Sequence, residues 1–459
     1  MSDRELARLG ATTDRILANL ELYEAPPSGA IGDDFRKWFV REVENYFQDE
    51  WYELDAQLQY LQLLRDSCLD TREAQHGSTR SVIKFFDLLQ MLAADVLRRS
   101  PPYGWPLLVL VGFGDLARKK MTGPLKDLLP HTPFDLWIVD QKNDAREIAK
   151  NEFINFPFVE ILSPEQLVSR FKTHDSTTKI AYIATDTRSH FRAVETYLNL
   201  GTDLIAVEKP LCSEEGDFTQ FQAIEKLTRS RPKPKLFVVD HYSFRRASLV
   251  VEGLKKEAPE FAKALDGVDK VIFRMLETDQ VDLERGAADE GVIFDMLPHL
   301  FPFVNALYTT NFKKWAIDEV KTWRYEGFTR PAETYARVRL RPRQGLVVEA
   351  MVGKGVNETI KEVQLIGKKV QARLDLLKGQ VMLSKGSISF QVGGTSTREL
   401  SYGYVIQSLL AGGSLEFQGL QRGLEVAKML LRIRKRAKIQ GTYALGSTPD
   451  VRVLRVGAD

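Results

Sequence analysis

The sequence predicts an α/β protein with two principal domains, and three observations indicate it. From Pro106 onward, short apolar runs alternate with helix-forming stretches, as in a parallel sheet with helices on its faces. The first of these runs ends in a glycine-rich turn. Beyond residue 330, longer runs alternate polar and apolar residues, as in a sheet with one covered face. We therefore expect a parallel-sheet domain followed by an α+β domain with a large, mostly antiparallel, open-faced sheet.

Changes of pattern along the chain predict the domain boundaries. We expect an N-terminal helical extension at 1–104 and the parallel-sheet domain at 105–245. The α+β domain follows at 246–403, and a C-terminal helix and tail at 404–459 pack back on the body.

Composition restricts the class of protein. The chain has 459 residues, of which 44% are hydrophobic, so it can bury several cores. Its 64 Lys and Arg nearly balance its 62 Asp and Glu, which favours neither a nucleic acid nor a membrane as partner. The two cysteines, Cys68 and Cys212, indicate neither a disulfide framework nor a metal site. Because no apolar run approaches the roughly 18 residues of a membrane span, we expect a cytoplasmic protein.

Two apolar stripes at helical spacing lie in the N-terminal extension and predict a helical hairpin. Such a hairpin packs on the main body or on a second subunit, and its many aromatic residues fit a partner surface equally well. The sequence leaves this choice open. The stripes consist of Phe47, Trp51, Leu54, Leu58 and Leu61, and of Val82, Phe85, Phe86, Leu89 and Leu92.

A short apolar strand, Leu107–Val111, leads into the turn GFGDLA. Gly112, Gly114 and Ala117 form a GxGxxA pattern, whose glycines allow a tight turn and close backbone approach to a pyrophosphate. A helix beginning at Asp115 then directs its first N–H groups at the phosphates. The alternative is a glycine turn in an unrelated α/β protein. The dinucleotide contacts predicted at this turn are Gly112, Phe113, Gly114, Asp115 and Leu116.

The second strand, Phe134–Val139, ends in Asp140. A carboxylate here accepts hydrogen bonds from the adenosine ribose hydroxyls and repels a 2′-phosphate. Asp140 therefore strengthens the dinucleotide interpretation and favours NAD over NADP. Lys142 and Arg118 lie near enough in the sequence to soften the repulsion, so NADP remains the alternative.

Polar residues follow the later strands of the parallel sheet. The predicted strands are Val159–Leu162, Ile180–Ala184, Leu204–Val207 and Leu236–Val239. Ligands of such a sheet bind beyond the carboxyl ends of its strands. We therefore expect one crevice lined by the residues that follow, which include Thr185, Glu208, Lys209, Asp240, His241 and Tyr242.

The second domain is predicted from a helix at Ser248–Lys256, a strand at Lys270–Leu276 and longer strands beyond them. The longer strands are Tyr335–Leu340, Leu346–Val352 and Glu362–Ile366, and a helix covers 404–438. One strand face carries Arg337, Arg339 and Arg341. An anionic substrate fits this face, but a solvated or subunit-facing surface is the favoured interpretation.

Two of the six histidines lie near the strand ends already described, and a third follows an aspartate. His190 falls in the helix after Thr185, His241 follows a strand, and His299 comes four residues after Asp295. Residues four apart share a helix face, so the carboxylate can orient the imidazole for proton transfer at neutral pH. From the residues alone, a histidine buried near a carboxylate by chance is the alternative.

Several segments, in the same order, resemble the glucose-fructose oxidoreductase and inositol dehydrogenase family, also called Gfo/Idh/MocA. They are VGFGDLA (111–117), ATDTRSH (184–190), AVEKPL (206–211), GVIFDMLPH (291–299) and KEVQLIGKKVQARLDL (361–376). GDLARKK (114–120) and VDHY (239–242) also resemble glucose-6-phosphate dehydrogenase. The resemblance runs from about residue 109 to 438 and implies a Rossmann-type domain and an NAD(P)-dependent oxidoreductase.

The resemblance also implies roles for single residues. Lys209 becomes the active-site lysine, with a pKa lowered by burial. Asp295 and His299 become the paired acid/base residues, with His299 as the base that takes the hydroxyl proton. Asp240 supports His299. The residues implied for binding substrate are His241, Tyr242 and Arg245, and those that complete the cofactor site are Thr185, His190 and Glu208.

Departures from the two families leave the substrate open. Asp186 stands where the oxidoreductase family has proline, and the glycine turn is one residue shorter than in glucose-6-phosphate dehydrogenase. His299 is one residue closer to its aspartate than in the dehydrogenase pattern, and Arg245 replaces the lysine after DHY. Specificity for a sugar phosphate is therefore not implied.

These observations predict a metal-free, homo-oligomeric enzyme that uses NAD, with NADP as the alternative. Its reaction is hydride transfer to or from a hydroxyl or carbonyl carbon of a sugar, sugar phosphate or cyclitol. One alternative is a catalytically silent dinucleotide-binding sensor or scaffold that uses the N-terminal helical region to bind partners. Another is a reductase for a non-sugar carbonyl or imine, because fold does not define substrate.

Overall fold

The computed structural model describes the part of the chain that carries both predicted sheets. The described residues are 105–129, 132, 134–154, 156, 159–174, 176–229, 234–244, 265, 267–281, 287–308, 311–368, 371–378, 380–385, 388–392, 398–412 and 419–449. The helical stripes of the N-terminal extension, the helix at 248–256 and Arg245 lie outside them.

A six-stranded sheet carries the glycine turn. Its strand order is β3-β2-β1-β4-β5-β6, the doubly wound order predicted from the alternating pattern. β2 pairs with β3, β4 with β5, and β5 with β6, each in parallel. Its strands are β1 Leu107–Val111, β2 Asp135–Val139, β3 Val159–Leu162, β4 Lys179–Ile183, β5 Leu204–Glu208 and β6 Lys235–Val239.

The strands of this sheet are apolar because both faces of a parallel sheet are covered. Every residue of β2 and β5 is buried, and so are the first four residues of β1. The predicted strands match the observed ones to within one residue at each end, since a short apolar run between polar turns leaves little freedom in its limits.

A nine-stranded, mostly antiparallel sheet follows, as predicted. Its order is β14-β13-β12-β11-β7-β10-β9-β8-β15. Within the described strands of this second sheet, only β10 with β7 and β15 with β8 pair in parallel. The strands are β7 Val268–Glu277, β8 Ala316–Tyr325, β9 Tyr335–Arg343, β10 Leu346–Lys354, β11 Ile360–Gly367, β12 Gln371–Asp375, β13 Gln380–Lys385, β14 Ile388–Val392 and β15 Ile439–Tyr443.

The alternation in β9 is confirmed. Val338 and Leu340 are fully buried, whereas Arg339 and Arg341 are exposed. Arg341 donates to Asp318 of β8 at 2.7 Å, and the Arg337 guanidinium lies 3.9 Å from the Glu349 carboxylate of β10. Two of the three arginines of this face, Arg337 and Arg341, are thus paired with acidic residues of neighbouring strands.

Nine α-helices complete the described structure, with a π-helical turn, Ala117–Met121, ahead of the first. The helix predicted at 404–438 is in fact two helices, α8 and α9. None of the helices that the structure describes is long and apolar enough to cross a membrane. The helices are α1 Thr122–Leu128, α2 Asn143–Glu152, α3 Pro164–Phe171, α4 His190–Asn199, α5 Glu215–Thr228, α6 Ala287–Asp295, α7 Leu300–Tyr308, α8 Arg398–Leu410 and α9 Leu420–Arg436.

The described residues form two compact units, one drawn from 105–109 and 125–179 and one drawn from 110–124 and 180–449. Asp140 belongs to the first unit. The described residues singled out below as candidates for catalysis or substrate binding all belong to the second unit. The domain boundaries at 104, 245 and 403 stay predictions.

Candidate active site

The glycine turn after β1 has the geometry that a bound pyrophosphate needs. Gly112 has a φ of +89°, and a Cβ there would lie 3.0 Å from Cγ2 of Thr185, so only glycine suits the position. Gly114 is exposed, and a Cβ placed on it meets no atom within 4 Å. The helical turns begin here, because the Arg118 N–H donates to the Gly114 carbonyl at 2.9 Å. An open space beside a helix N-terminus fits an anionic phosphate.

Asp115 is held by its own helix. It accepts from Arg118 and from Lys119, each at 2.9 Å. Its charge at the positive end of the helix is therefore compensated locally. Phe113 is 3% exposed and belongs to the core beneath the turn, whereas Leu116 is half-buried. The cofactor contacts assigned to these three side chains stay predictions.

Asp140 follows β2 and lies in a small basic loop. Its Oδ1 accepts the backbone N–H of Lys142 at 2.8 Å. The Arg146 guanidinium donates to the carbonyl oxygens of Asp140, at 2.7 Å, and of Gln141, at 2.9 Å. Sequence reasoning missed Arg146, although it lies six residues after Asp140 in the next helix. The loop therefore contains both a carboxylate suited to ribose hydroxyls and a cation suited to a phosphate.

Lys209 directly follows β5, and its Nζ contacts the end of α6. It donates to the Asp295 carbonyl at 2.6 Å and lies 3.3 Å from Asp295 Oδ1. Burial opposes the charge of the Lys209 ammonium, but the carboxylates of Asp295, Asp240 and Glu208 outweigh burial and raise its pKa. This corrects the expectation that burial lowers the pKa of this lysine. Lys209 is a cationic donor at neutral pH.

Asp295 is clamped between two lysines. Lys354, at the end of β10, approaches its Oδ2 to 2.8 Å. Burial favours the neutral acid, but Lys354 and Lys209 together hold the pKa of Asp295 well below its usual range. Asp295 is thus a fixed anion. Lys354 also lies 3.9 Å from Glu277 of β7, which in turn pairs with Lys361 of β11.

The carboxylate that contacts His299 is Asp240. His299 Nδ1 lies 2.8 Å from Asp240 Oδ1, and each residue is 4% exposed. Asp240 also accepts the backbone N–H of Tyr242 at 2.9 Å. A carboxylate on Nδ1 favours the tautomer with its proton there, which leaves Nε2 as an acceptor. Burial, with the charge of Lys209 acting in the same direction, outweighs Asp240 and lowers the pKa of His299.

Asp295 does not occupy the orienting position because the chain between it and His299 is not one helix. The helix α6 ends at Asp295, and a separate 3₁₀ turn, Leu297–His299, contains Pro298. Proline cannot continue the hydrogen bonding of an α-helix, so the four-residue spacing no longer places both side chains on one face. The orienting carboxylate comes instead from the end of β6.

Helix α6 is anchored at its glycine. Gly291 has a φ of +75°, and a Cβ there would lie 2.4 Å from Oε1 of Glu333. That oxygen accepts the Ile293 N–H at 3.0 Å. Arg434 of α9 donates to the other Glu333 oxygen at 2.9 Å and to the Glu290 carbonyl at 2.7 Å. The ion pair between the buried Glu333 and the half-buried Arg434 therefore fixes the segment that presents Asp295.

His241 and Tyr242 enclose His299. The ring centroid of Tyr242 lies 4.2 Å from that of His299, and the ring of His241 meets His299 edge-on at 5.5 Å. Tyr402 of α8 stacks on His241 at 4.8 Å, and its hydroxyl lies 3.1 Å from His241 Nδ1. Sequence reasoning missed Tyr402, whose helix gives no motif of its own.

His190 supports two strand-end loops. It is 1% exposed, and its ring nitrogens face the carbonyls of Pro210 at 3.0 Å and Thr185 at 3.2 Å. Asp186, in place of the family's proline, accepts the Ser189 hydroxyl at 2.9 Å at the start of α4. Glu208 is likewise buried. The cofactor contacts assigned to Thr185, His190 and Glu208 stay predictions.

No family model matches the chain, and no curated protein sequence matches it. Solved structures do match it in fold. A glucose-6-phosphate dehydrogenase in complex with glucose-6-phosphate has a TM-score of 0.61 at 15% identity, over 76% of this chain and 96% of the other. An aldose-aldose oxidoreductase from Caulobacter crescentus, complexed with glycerol, has a TM-score of 0.59 at 13% identity, over 73% and 97%. KijD10, a 3-ketoreductase from Actinomadura kijaniata bound to TDP-benzene and NADP, has a TM-score of 0.57 at 12% identity, over 74% and 99%.

These similarities confirm the resemblance at the level of fold. The chain has the two-sheet fold of Gfo/Idh-type oxidoreductases and of glucose-6-phosphate dehydrogenase. At such low identity, the reaction must be argued from the site itself.

Proposed function

We propose that this protein is an NAD(P)-dependent oxidoreductase that acts on a CH–OH group, or the corresponding carbonyl, of a sugar, sugar phosphate or cyclitol. The observation that carries the proposal is one buried cluster at the ends of β5 and β6. In it, an imidazole oriented by a carboxylate lies within the electrostatic influence of a lysine held by a second carboxylate. Alcohol oxidation needs these two groups, a neutral base and a cation near the reacting oxygen.

His299 is the proposed base. Its lowered pKa keeps it neutral near pH 7, because burial disfavours the imidazolium. With Nδ1 directed at Asp240, Nε2 takes the hydroxyl proton, and Asp240 stabilises the imidazolium that forms. The positive charge of Lys209 disfavours protonation of His299 before the substrate hydroxyl gives up its proton.

Lys209 is the proposed electrostatic partner of the substrate oxygen. Its raised pKa keeps it protonated, because Asp295 and two further carboxylates surround it. A fixed ammonium stabilises the negative charge that develops on the oxygen as its proton leaves. When bound, the nicotinamide accepts the hydride in oxidation or supplies it in reduction.

The substrate class is proposed from the groups around this pair. His241, Tyr242, Lys354 and, by resemblance, Arg245 offer hydroxyl and phosphate partners. The fold is shared with a protein solved with glucose-6-phosphate and with one described as acting on aldoses, which supports a sugar-like substrate. We also propose a homo-oligomer in the cytoplasm.

The cofactor is proposed to be NAD, because Asp140 suits the ribose hydroxyls and repels a 2′-phosphate. Arg146 supports NADP as the alternative, since its guanidinium lies at the backbone of the same loop. KijD10, which shares the fold, was solved with NADP.

The test is a substrate screen with both cofactors, in which the absorbance of the reduced nicotinamide measures turnover. Lys209→Met should lower kcat about 100-fold or more while nucleotide binding, measured by calorimetry, stays intact. Lys126→Met serves as a control. Lys126 pairs with Glu152, and both residues lie in the unit that does not contain Lys209. If a broad panel gives no turnover although nucleotide binds tightly, the protein is the dinucleotide sensor or scaffold instead.

A further inference from the structure

Glu208 is a buried carboxylate next to the proposed active-site lysine, and the reaction described above does not use it. It ends β5 and is 2% exposed. Its Oε1 accepts the Tyr182 hydroxyl at 2.6 Å, and Tyr182 is fully buried in β4. A buried carboxylate is costly unless it is paired, so its presence beside Lys209 calls for a function.

Tyr402 interacts with both Glu208 and His241. It is 1% exposed, and burial and then the neighbouring charge of Glu208 raise the pKa of its phenol well above the usual value. Its hydroxyl lies 3.1 Å from His241 Nδ1, with the two rings stacked at an angle of 22°. His241 is only half-buried. A path of ionisable and hydroxyl groups therefore leads from Glu208 outward.

The groups around Glu208 poise it to exchange a proton. Four titratable side chains influence it, Tyr182 from β4, Lys209 beside it, Asp240 from the end of β6 and Tyr402 from α8. Burial, aided by Asp240, raises the pKa of Glu208 to about 7, against the opposing effects of Tyr182, Lys209 and Tyr402. Both protonation states are thus populated at neutral pH.

The proposed reaction needs an exit for a proton. His299 and Asp240 are each 4% exposed, so the proton taken from the substrate hydroxyl enters a closed cluster. The Lys209 ammonium belongs to that cluster and is also coupled electrostatically to Glu208. Each turnover must return the cluster to its starting charge before the next.

We propose that Glu208, Tyr402 and His241 form a proton relay between the active-site cluster and solvent. In oxidation, Lys209 passes a proton to Glu208 as it receives the one that His299 took from the substrate, so Lys209 is an ammonium before and after. Glu208 passes its proton to the Tyr402 oxygen, while Tyr402 passes its own hydroxyl proton to His241 Nδ1. Tyr402 is neutral before and after, and His241 releases one proton from its other nitrogen to solvent. In reduction, the same steps run inward. The inference rests on the proposed function for its catalytic role.

The catalytic test compares two buried phenols on the same carboxylate. Tyr402→Phe interrupts the path, so kcat should fall about tenfold or more and the solvent deuterium isotope effect on kcat should grow, with KM changed less than about twofold. Tyr182→Phe removes a hydrogen bond that lowers the pKa of Glu208 and leaves the path intact. It should move the pH profile to higher pH and preserve the maximal rate. Equal losses of maximal rate in the two variants would overturn the relay.

A second test uses the protein without cofactor or substrate. The pKa of the His241 imidazole is read from ¹H–¹⁵N spectra and assigned with His241→Asn. Glu208→Gln should change that pKa clearly more in the wild-type background than in the Tyr402→Phe background, where only the coupling through space remains. An equal change in both backgrounds, or none in either, contradicts the relay. Because no turnover is involved, this result is independent of whether the proposed function holds.

Discussion

The imidazole of His299 is oriented by Asp240, whose carboxylate oxygen lies 2.8 Å from Nδ1. The two residues are 59 positions apart in the chain and are both buried. This pairing separates two roles that carboxylates play in the site. Asp240 serves the base, whereas Asp295 serves the lysines.

Asp240→Asn should lower kcat about 100-fold or more, because an amide neither stabilises the imidazolium nor fixes the tautomer. The sign of the pH effect follows from the environment of His299. Since the Asp240 charge raises the pKa of His299, its loss should move the acidic limb of the kcat/KM profile for oxidation, where the base becomes protonated, to lower pH. The measurement is the pH dependence of kcat/KM. Asp318→Asn, which breaks a surface pair with Arg341, is the control and should match wild type.

Lys354→Met should weaken the protein through the loss of its ion pair with Asp295. Lys354 and Lys209 lower the pKa of Asp295 from 3.8, so this carboxylate stabilises the fold at neutral pH and loses that effect only as the pH falls through its folded pKa, well below its usual range. We expect a loss of about 2 kcal/mol in the free energy of unfolding at pH 7 and a smaller loss when the same change is made in the Asp295→Asn background. Urea unfolding of the single and double variants at pH 7 measures it. A loss that is the same in both backgrounds would contradict the pairing.

Gly291→Ala tests the anchor of α6. The added Cβ would meet Glu333 Oε1 at 2.4 Å in a backbone with a φ of +75°. Gly327→Ala is a matched control, because Gly327 has a φ of +87° and nothing within 4 Å of its Cβ position. The control should cost about 1 kcal/mol from the backbone alone, and Gly291→Ala should cost at least twice that and also reduce kcat. Similar unfolding curves for the two variants would show that the contact with Glu333 is unimportant.

Asp140→Ser should change cofactor preference. Removing the carboxylate takes away the repulsion of a 2′-phosphate and leaves Arg146 in the loop. The ratio of kcat/KM for NADP to that for NAD should rise about tenfold or more. Asp144→Ser, four residues later in α2, removes a charge without touching the β2 end and should leave the ratio unchanged. If both variants behave alike, general charge rather than the position of Asp140 sets the preference.

The sequence predicted the parallel sheet almost to the residue, since apolar runs such as 107–111 and 204–207 are typical of buried strands between polar turns. It predicted the middle of the antiparallel sheet but missed β8 and β12 to β15. Strands such as Ile439–Tyr443, which lie at an edge and are largely exposed, lack the apolar alternation that reveals a strand.

At the site, short motifs identified Lys209, Asp295, His299 and Asp240, and the structure groups all four together. What the motifs did not give is which carboxylate contacts which base. The contact depends on the break in the helix at Pro298. The direction that His299 takes after this break is set by tertiary packing, which the motifs do not contain. Tyr402 and Arg434 were missed for the same reason, because each lies in an ordinary amphipathic helix and acquires its role only by contact.

The tether from Arg434 to Glu333 and Glu290 also sets when the site can exist during synthesis. Lys209, Asp240 and His299 leave the ribosome well before α9, and domains generally fold in the order in which they are made. Until residue 434 has emerged, the segment that presents Asp295 lacks the contact between Arg434 and Glu333. Until residue 402 has emerged, His241 lacks its stacking partner. A growing chain therefore carries the chemical groups of the reaction without their arrangement, so a truncated product of interrupted translation is expected to be inert.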